Sequence, residues 1–146
     1  MRKTVLNPNE HAGYARAVVV EKPTHDHVSM AGVIPTDEDG NVVGNDDMKA
    51  QTRQVYENIE GHLEALGGGL EDVVRHRVFV TTMDASAVDA YHEAHTEFFD
   101  EPERLPAGTL VEIDGLVLED AMIEIEIEAI VPDDGWETTV VGPDRP

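Results

Sequence analysis

The sequence has no cysteine, and only ten of its 146 residues are lysine or arginine. Without cysteine, disulfide bonds and thiol catalysis are both excluded. Long hydrophobic runs are missing as well: no segment approaches the roughly 20 apolar residues that span a bilayer. Residues 1–10 hold no apolar stretch typical of a signal peptide. These absences predict a cytoplasmic protein with no membrane partner.

Acidic residues dominate the charged positions. Thirty-one Asp and Glu residues give a formal net charge of −21, and Lys3, Lys22 and Lys49 are the only lysines. Acids spread along the chain indicate adaptation to a high-salt cytoplasm, in which screening makes self-repulsion tolerable; an acidic partner-binding protein is the alternative. The charge disfavours nucleic acid as a partner, so we interpret Arg75 and Arg77 as local ion-pair partners. It also predicts lower stability at low ionic strength.

The length fits one domain with a single core, and no linker or repeat divides the chain. We assign residues 1–132 to the domain and 133–146 to a polar C-terminal tail, in which residues 138–141 are the one candidate strand. Residues 1–13 are polar and predict an extended lead-in. The predicted strands, in chain order, are 17–21, 27–34, 41–43, 70–82, 109–113 and 121–130.

Two helices are predicted from apolar residues at helical spacing. Asn45 or Asp46 caps the first helix, which ends near Leu66. The triple glycine 67–69 stops that helix; a phosphate loop would have to precede a helix, not follow one. Asp84 caps the second helix, which ends near residue 99. The buried stripes are Val55, Ile59, Leu63 and Leu66 in the first helix, and Val88, Tyr91, His95 and Phe98 in the second.

The last predicted strand alternates strictly between apolar and acidic residues. Its two faces are Ile123, Ile125 and Ile127 on one side, and Glu124, Glu126 and Glu128 on the other. We expect strand 109–113 to pair with it as an antiparallel neighbour, with the turn 106–108 near the carboxylates. The order β-β-β-α-β-α-β-β predicts an α+β fold, a mixed sheet with two helices on one face. The other face must be polar or bind another subunit.

The histidines do not make a metal site. His92 and His95 resemble the zinc-protease helix motif, but in that motif the two histidines are four residues apart. His25 and His27 have no third ligand in view. We interpret these histidines as solvated or capping residues, and predict neither a metal nor a cofactor.

Several short segments together resemble the RidA/YjgF family of small trimeric proteins. They occur in the family's order, between about residue 3 and residue 132. The matching segments are Gly13-Tyr-Ala-Arg-Ala-Val18, Ala31-Gly-Val-Ile-Pro35, Ala50-Gln-Thr-Arg53, Asn58-Ile59, Asp72-Val-Val74, Val78-Phe-Val80, Pro106-Ala107, Val111-Glu112 and Ile123-Glu-Ile-Glu126 with Ala129. Singly these segments are weak signals, but in this order they are strong.

The resemblance implies a chorismate mutase-like fold and a barrel-like homotrimer with ligand clefts between neighbouring subunits. The best-known activity of the family is the hydrolysis of reactive enamines and imines to a keto acid and ammonia. In those members an arginine after Pro-Ala binds the substrate carboxylate in a bidentate pair. A backbone carbonyl and a glutamate position the attacking water, and an N-terminal tyrosine closes the cleft.

Carried to this chain, the resemblance implies two kinds of site residue. The catalytic positions are Glu124 and the carbonyl of Leu110, and the ligand-binding positions are Tyr14, Gly32 with its neighbour Ala31, and Gly108. Gly108 stands where the arginine would be, so the chain resembles a branch of the family without this clamp. If the arginine is all that is missing, Gly108→Arg should create activity on carboxylated imines. The sequence leaves open whether Arg16, Asp89, His92 or Arg104 reach the cleft.

Three functional hypotheses follow. The first is a small-metabolite protein that hydrolyses an enamine or imine with water held by Glu124, although hydrolysis of 2-imino acids conflicts with Gly108. The second is a non-catalytic ligand-binding, regulatory or chaperone trimer. The third is an endoribonuclease or translation inhibitor, which the net charge disfavours.

Overall fold

A six-stranded mixed sheet backed by two helices makes up the computed structural model, which describes residues 1–142. The strands are β1 (Arg2–Asn9), β2 (Tyr14–Glu21), β3 (His25–Val33), β4 (Val73–Val80), β5 (Ala107–Glu112) and β6 (Ile123–Pro132). The helices are α1 (Met48–Ala65) and α2 (Ala85–Phe98). The predicted α+β architecture is confirmed. In this part of the chain, neither helix has the length and apolar character needed to cross a bilayer.

The strand order is β1-β2-β3-β6-β4-β5, and only the β4–β5 pair is parallel. The predicted antiparallel pairing of 109–113 with 121–130 is therefore wrong, because β4 lies between β5 and β6. The chain leaves β4, passes through α2 and returns as β5, which is the crossover that parallel neighbours require. Strand β6 lies in the interior of the sheet, where it pairs with β3 on one side and β4 on the other.

Three further strand predictions need correction. The lead-in at 1–13 contains β1, which pairs with β2 from Arg2 opposite Glu21 to Asn9 opposite Tyr14. Its side chains are almost all exposed, so the sequence carries no apolar alternation there. Residues 41–43 contribute only an isolated bridge, between Thr36 and Val42. Residues 138–141 form no strand in the described part of the tail.

The helix ends follow simple capping chemistry. Asp47, and not Asn45 or Asp46, caps α1 by accepting a hydrogen bond from the amide of Ala50. Asp84 caps α2 as predicted, through the amide of Ala87. The predicted stop after α1 is confirmed at the first glycine of the triplet, whose φ of +81° lies in the left-handed region.

The core lies between the sheet and the helices. Three isoleucines of β6 and three of the predicted α1 residues are at most 2% exposed: Ile123, Ile125, Ile127, Val55, Ile59 and Leu63. Leu66 packs at the margin. The β6 glutamates lie on the opposite, half-buried face of the sheet. There Arg77 pairs with Glu126 at 3.2 Å, which confirms the ion-pair interpretation of this arginine.

Candidate functional site

The Glu124 pocket begins at an irregularity in β3. The pairing of β3 with β6 shifts between Met30 and Val33, so the backbone of Ala31 and Gly32 departs from the regular ladder. A Cβ atom on Gly32 would lie 2.5 Å from the Glu124 carboxylate oxygen Oε1. Glycine at this position therefore lets the carboxyl group pack directly against the backbone.

The surroundings of Glu124 favour its protonated form. Partial burial raises the pKa of the Glu124 carboxyl above its ordinary value, and the charge of Glu126 adds to this, whereas Arg16 opposes it. Burial and a like charge both penalise a carboxylate. A carboxyl group with a raised pKa takes up and releases a proton at a higher pH than a free carboxyl group does.

Arg16 lies at the same place, next to Gly32. Its guanidinium Nη1 donates hydrogen bonds to the carbonyl oxygens of Ala31, at 3.3 Å, and Gly32, at 3.0 Å. The question left open by the sequence is thus answered for Arg16, which reaches the predicted cleft position. Its place two residues after Tyr14, in a segment that carries the family resemblance, is the signal that could have identified it.

A loop and two strands complete the Glu124 pocket, which has a volume of about 350 Å³. Its lining residues are Gly32, Phe79, Ile113, Gly115, Leu116, Val117, Glu124 and Glu126. The pocket combines apolar walls with a carboxyl pair, a mixture common in small-molecule sites. Half of the lining comes from the loop between β5 and β6.

Gln51 of α1 holds this loop. Its side chain is fully buried, donates to the carbonyl of Asp120 at 2.8 Å and accepts from the amide of Met122 at 2.7 Å. The amide nitrogen and the carbonyl oxygen of the Gln51 side chain each hydrogen-bond to a loop backbone atom that has no partner in a strand. Gln51 lies in a segment of the resemblance, but its contact with the loop required the tertiary structure.

Gly108 and Leu110 lie elsewhere, in a cavity of about 220 Å³ on the helix side of the sheet. Gly108 is opposite His76, and Leu110 is opposite Val78. A Cβ atom on Gly108 would collide with Nε2 of His76. The space that a side chain at position 108 would need is therefore taken by an imidazole.

The two halves of the implied site are far apart within one chain. Gly32 on β3 and Gly108 on β5 are three strands apart, about 14 Å at the usual strand spacing. They also belong to opposite faces, because Glu124 projects away from the helices and His76 towards them. Tyr14, at the start of β2, is half exposed and lines neither pocket.

The cavity at Gly108 contains a buried cluster centred on the Tyr56 hydroxyl. This oxygen lies 3.0 Å from Nδ1 of His76, 2.9 Å from Nδ1 of His95 and 3.3 Å from the hydroxyl of Tyr91. Burial lowers the pKa of both His76 and His95 to about 4. It raises the pKa of Tyr91 to about 12 and that of Tyr56 well above its usual range. All four groups are therefore neutral at pH 7.

Sequence reasoning missed Tyr56 and His76 as members of a site. His76 is in phase with Val78 and Val80 on the buried face of β4, and that period of two is the signal that could have been used. His95 was expected on the buried stripe of α2, and it lies there beside Tyr91.

The remaining candidates lie on the surface. His25 contacts the hydroxyl of Thr24 at 3.1 Å, and His27 lies 3.8 Å from Glu128. Arg104 pairs with Glu71 at 3.3 Å, and Asp89 lies in a shallow surface groove. His92 lines both that groove and the cavity at Gly108. Residues 1–142 contain no group of three or more His, Asp or Glu side chains placed to hold a metal.

Comparison with known proteins identifies the family to which this chain belongs. The model of the RidA/YjgF family, described as Endoribonuclease L-PSP, matches residues 4–131. The chain belongs to this family. A RidA/YjgF fold explains the mixed sheet, the two helices and the place of Gly32 and Gly108 within it.

Relatives with names or structures are similar over most of the chain. The 3-aminoacrylate deaminase RutC of Acinetobacter baylyi is 40% identical over 98 residues, which are 67% of this chain and 74% of the relative. A YjgF-family structure from Mycobacterium tuberculosis is 32% identical, with a TM-score of 0.71 over 89% of this chain and 100% of the other. A Thermotoga maritima protein, provisionally described as an endoribonuclease, is 31% identical, with a TM-score of 0.74 over 89% and 98%.

Proposed function

We propose that this RidA/YjgF protein hydrolyses a small enamine or imine, with water positioned by Glu124. The observation that carries the proposal is the Glu124 carboxyl, which packs against Gly32 in a pocket and has a raised pKa. The similarity to RutC, named as a deaminase of 3-aminoacrylate, a small enamine, supports the same substrate class.

The chemistry needs a group that moves protons in both directions. Glu124 in its ionised form takes a proton from water as the oxygen attacks the imine carbon. The protonated carboxyl gives that proton to the imine nitrogen, which forms a carbinolamine. The carboxylate then moves the hydroxyl proton of the carbinolamine to the same nitrogen as the carbon–nitrogen bond breaks, and the products are a carbonyl compound and ammonia. A carboxyl whose pKa is raised towards the working pH performs both steps well.

The substrate differs from that of members that bind a carboxylate after Pro-Ala. Gly108 offers no cation, and His76 blocks the place of a side chain there. Two guanidinium groups lie beside lining residues of the Glu124 pocket: Arg16 at the Gly32 end, and Arg77, whose charge is paired with Glu126. We therefore propose an enamine or imine whose polar group reaches Arg16, and not a 2-imino acid held at position 108.

Completion of the cleft by a second subunit is part of the proposal. The separation of Gly32 from Gly108 within one chain supports a cleft between neighbours, and so does the uncovered sheet face around Phe79. In a homotrimer, the Leu110 carbonyl of one subunit approaches Glu124 of the next. Phe79→Asp places a charge on that face, and we expect it to convert the trimer to monomers in sedimentation velocity at high salt.

The activity is tested with imines produced in place by an amino-acid oxidase, and with 3-aminoacrylate, in molar salt. We expect Glu124→Gln to lower the rate of ammonia release by about 100-fold or more, the usual contribution of a general base. Glu128→Gln, on the same face of β6, is the matched control and should stay within about twofold of the native rate.

A native rate no higher than buffer alone would overturn the hydrolase. Binding of the same compounds without turnover would then favour the ligand-binding trimer. RNA cleavage that disappears in Glu124→Ala would favour the endoribonuclease, and cleavage that persists in the variant would identify contamination.

A further inference from the structure

The number of protons available limits the hydrogen-bond arrangement of the Tyr56 cluster. A tyrosine hydroxyl carries one proton and two lone pairs, and it has three partners here: His76, His95 and Tyr91. The proton goes to only one of them, so the other two must donate. The contacts to the histidines, at 3.0 and 2.9 Å, are shorter than the 3.3 Å contact to Tyr91.

We assign the Tyr56 proton to one of the two histidines because of these shorter contacts. The histidine that receives it has a bare Nδ1 and therefore carries its proton on Nε2. The other histidine donates from Nδ1 and therefore has a bare Nε2. The two imidazoles are thus held in opposite tautomers. Their roles are exchanged when protons shift along Tyr56 while one ring gains a proton on Nε2 and the other ring loses one.

Both imidazoles line the cavity at Gly108. Nε2 of His76 occupies the place of a Cβ atom at residue 108, a packing that only glycine allows. Since the described residues hold no fully buried side-chain nitrogen without a hydrogen-bond partner, this unbonded nitrogen keeps access to the cavity that His76 lines. Nδ1 of each ring is engaged with Tyr56, which leaves Nε2 as the free nitrogen of each ring.

We propose that this cavity is a tautomerase site, in which His76 and His95 move a proton between two atoms of a small uncharged enol or enamine through Tyr56. Within one chain the cavity shares no lining residue with the Glu124 pocket. Leu110 belongs both to this cavity and to the proposed cleft between subunits, but the relay of His76, Tyr56 and His95 takes no part in the proposed hydrolysis.

The proton transfer balances without any co-reactant. The bare Nε2 of His76 takes the proton from the enol oxygen, and the oxygen electrons form the carbonyl bond. The carbon–carbon π pair takes a proton from Nε2 of His95. The Nδ1 proton of His76 moves to the Tyr56 oxygen, and the Tyr56 proton moves to Nδ1 of His95. The protein ends in the mirror arrangement of tautomers, which catalyses the reverse step or the next molecule in the opposite orientation.

Size and charge define the class of substrate. The cavity has about 220 Å³, below the range of about 300–1,000 Å³ typical of drug-sized ligands. Its titratable lining consists of His76, His92, His95 and Tyr91, and within the described residues it includes no carboxylate and no guanidinium. A small molecule without a formal charge fits these walls.

The probe is 2,4-pentanedione, a small neutral dicarbonyl compound whose enol absorbs in the ultraviolet. Enol-rich stock in an apolar solvent is diluted into buffered molar salt, and the decay of the enol band is followed. We expect the native protein to accelerate the decay, and Tyr56→Phe to lose at least about 10-fold of the acceleration while retaining the native circular dichroism spectrum at the assay temperature. His25→Gln, which removes a distant surface imidazole, should keep the full rate.

The pH profile separates a proton relay from a structural role. Since both histidines become protonated only near pH 4, the accelerated rate should be level above about pH 5 and fall as the pH approaches 4. A native protein no faster than buffer, or a Tyr56→Phe variant as fast as the native one, would overturn the proposal.

Nitrogen-15 NMR of the unaltered protein provides a second test that does not depend on the folding of any variant. One of His76 and His95 should carry its proton on Nδ1 and the other on Nε2. Two Nδ1-protonated rings, with the Tyr56 proton on Tyr91, would rule out the relay.

Discussion

At the scale of single residues, the pair Gly108 and His76 is the most informative. The space above Gly108 is occupied by the His76 ring, so neither residue can be changed without regard to the other. The condition under which Gly108→Arg alone would restore an anion clamp is therefore not met. The arginine would need a smaller residue at position 76.

We predict that Gly108→Ala lowers the free energy of unfolding by about 1–3 kcal/mol, the usual cost of overpacking a filled site. The new methyl group meets the imidazole of His76, which is tied to Tyr56 and has little freedom to move. Urea unfolding at fixed high salt measures the change. In a His76→Ala background the same substitution should cost much less, and equal costs in the two backgrounds would contradict the coupling.

A second residue-scale prediction concerns Glu124 and pH. Its folded-state pKa is raised above the ordinary value of 4.5, so the folded protein binds the proton more tightly than the unfolded chain. Between the two pKa values the free energy of unfolding must fall as the pH rises. Glu124→Gln removes this pH-dependent decrease. The free energy of unfolding of the variant, relative to that of the native protein, should therefore increase from pH 4 to pH 7. Glu128→Gln controls for the change of charge, and an opposite trend would refute the assignment.

The sequence predicted which residues of β6 occupy each face of the strand, but not the contacts between residues of different strands. The period of two in β6 predicted the burial of Ile125 and the outward face of Glu124 because that alternation is a property of one strand. The contact of Glu124 with Gly32 depends on an irregularity in a different strand. The close approach of His76 to Gly108 likewise depends on the register of β5 with β4, which places the two residues opposite each other.

At the scale of elements, the loop between β5 and β6 has the largest effect on the Glu124 pocket. This loop follows an edge strand, and its backbone is tied to α1 by the two hydrogen bonds of Gln51. The wall of the pocket is therefore positioned by a helix on the far side of the sheet.

We predict that Gln51→Leu destabilises the protein by roughly 2–6 kcal/mol, since it leaves two backbone groups of the loop without partners at about 1–3 kcal/mol each. Hydrogen exchange should show faster exchange of the Met122 amide and of its neighbours in the loop. Gln54→Leu, on the same helix but bonded only to Asn58, is the matched control. Unchanged protection of Met122 would contradict the role given to Gln51.

Strand order was the least predictable property at this scale. The pattern of each strand indicated its type and burial, but the neighbour of β5 was decided by α2, which carries the chain back to the edge beside β4. The polar strand β1 gave no pattern, because pairing through backbone groups places no demand on exposed side chains. The predicted cap of α1 was wrong by one residue, Asp46 instead of Asp47, since adjacent acids are equivalent in sequence.

At the scale of the whole molecule, the net charge of −21 affects both folding and assembly. Self-repulsion of this size is felt most in the compact state and in any trimer, where the charges of three chains are brought together. Salt reduces it by shortening the distance over which charges act.

We predict that the midpoint of thermal unfolding rises when NaCl is increased from about 0.1 M to about 1 M, over which the Debye length falls from about 10 Å to about 3 Å. Sedimentation at the same two concentrations should show more complete association at the higher one. Sodium sulfate at matched ionic strength separates screening from exclusion effects. A midpoint that is independent of salt would contradict the interpretation of the acidic surface.

The mutual exclusion of a side chain at position 108 and an imidazole at position 76 also has an evolutionary consequence. If an ancestor carried arginine at 108, either first substitution would bring a side chain at 108 and the His76 imidazole into the same space. The passage between the two kinds of protein therefore runs through an intermediate that is small at both positions. Such an intermediate would have neither an anion clamp nor the Tyr56 relay. Reconstructed ancestral sequences would show the order in which positions 76 and 108 changed.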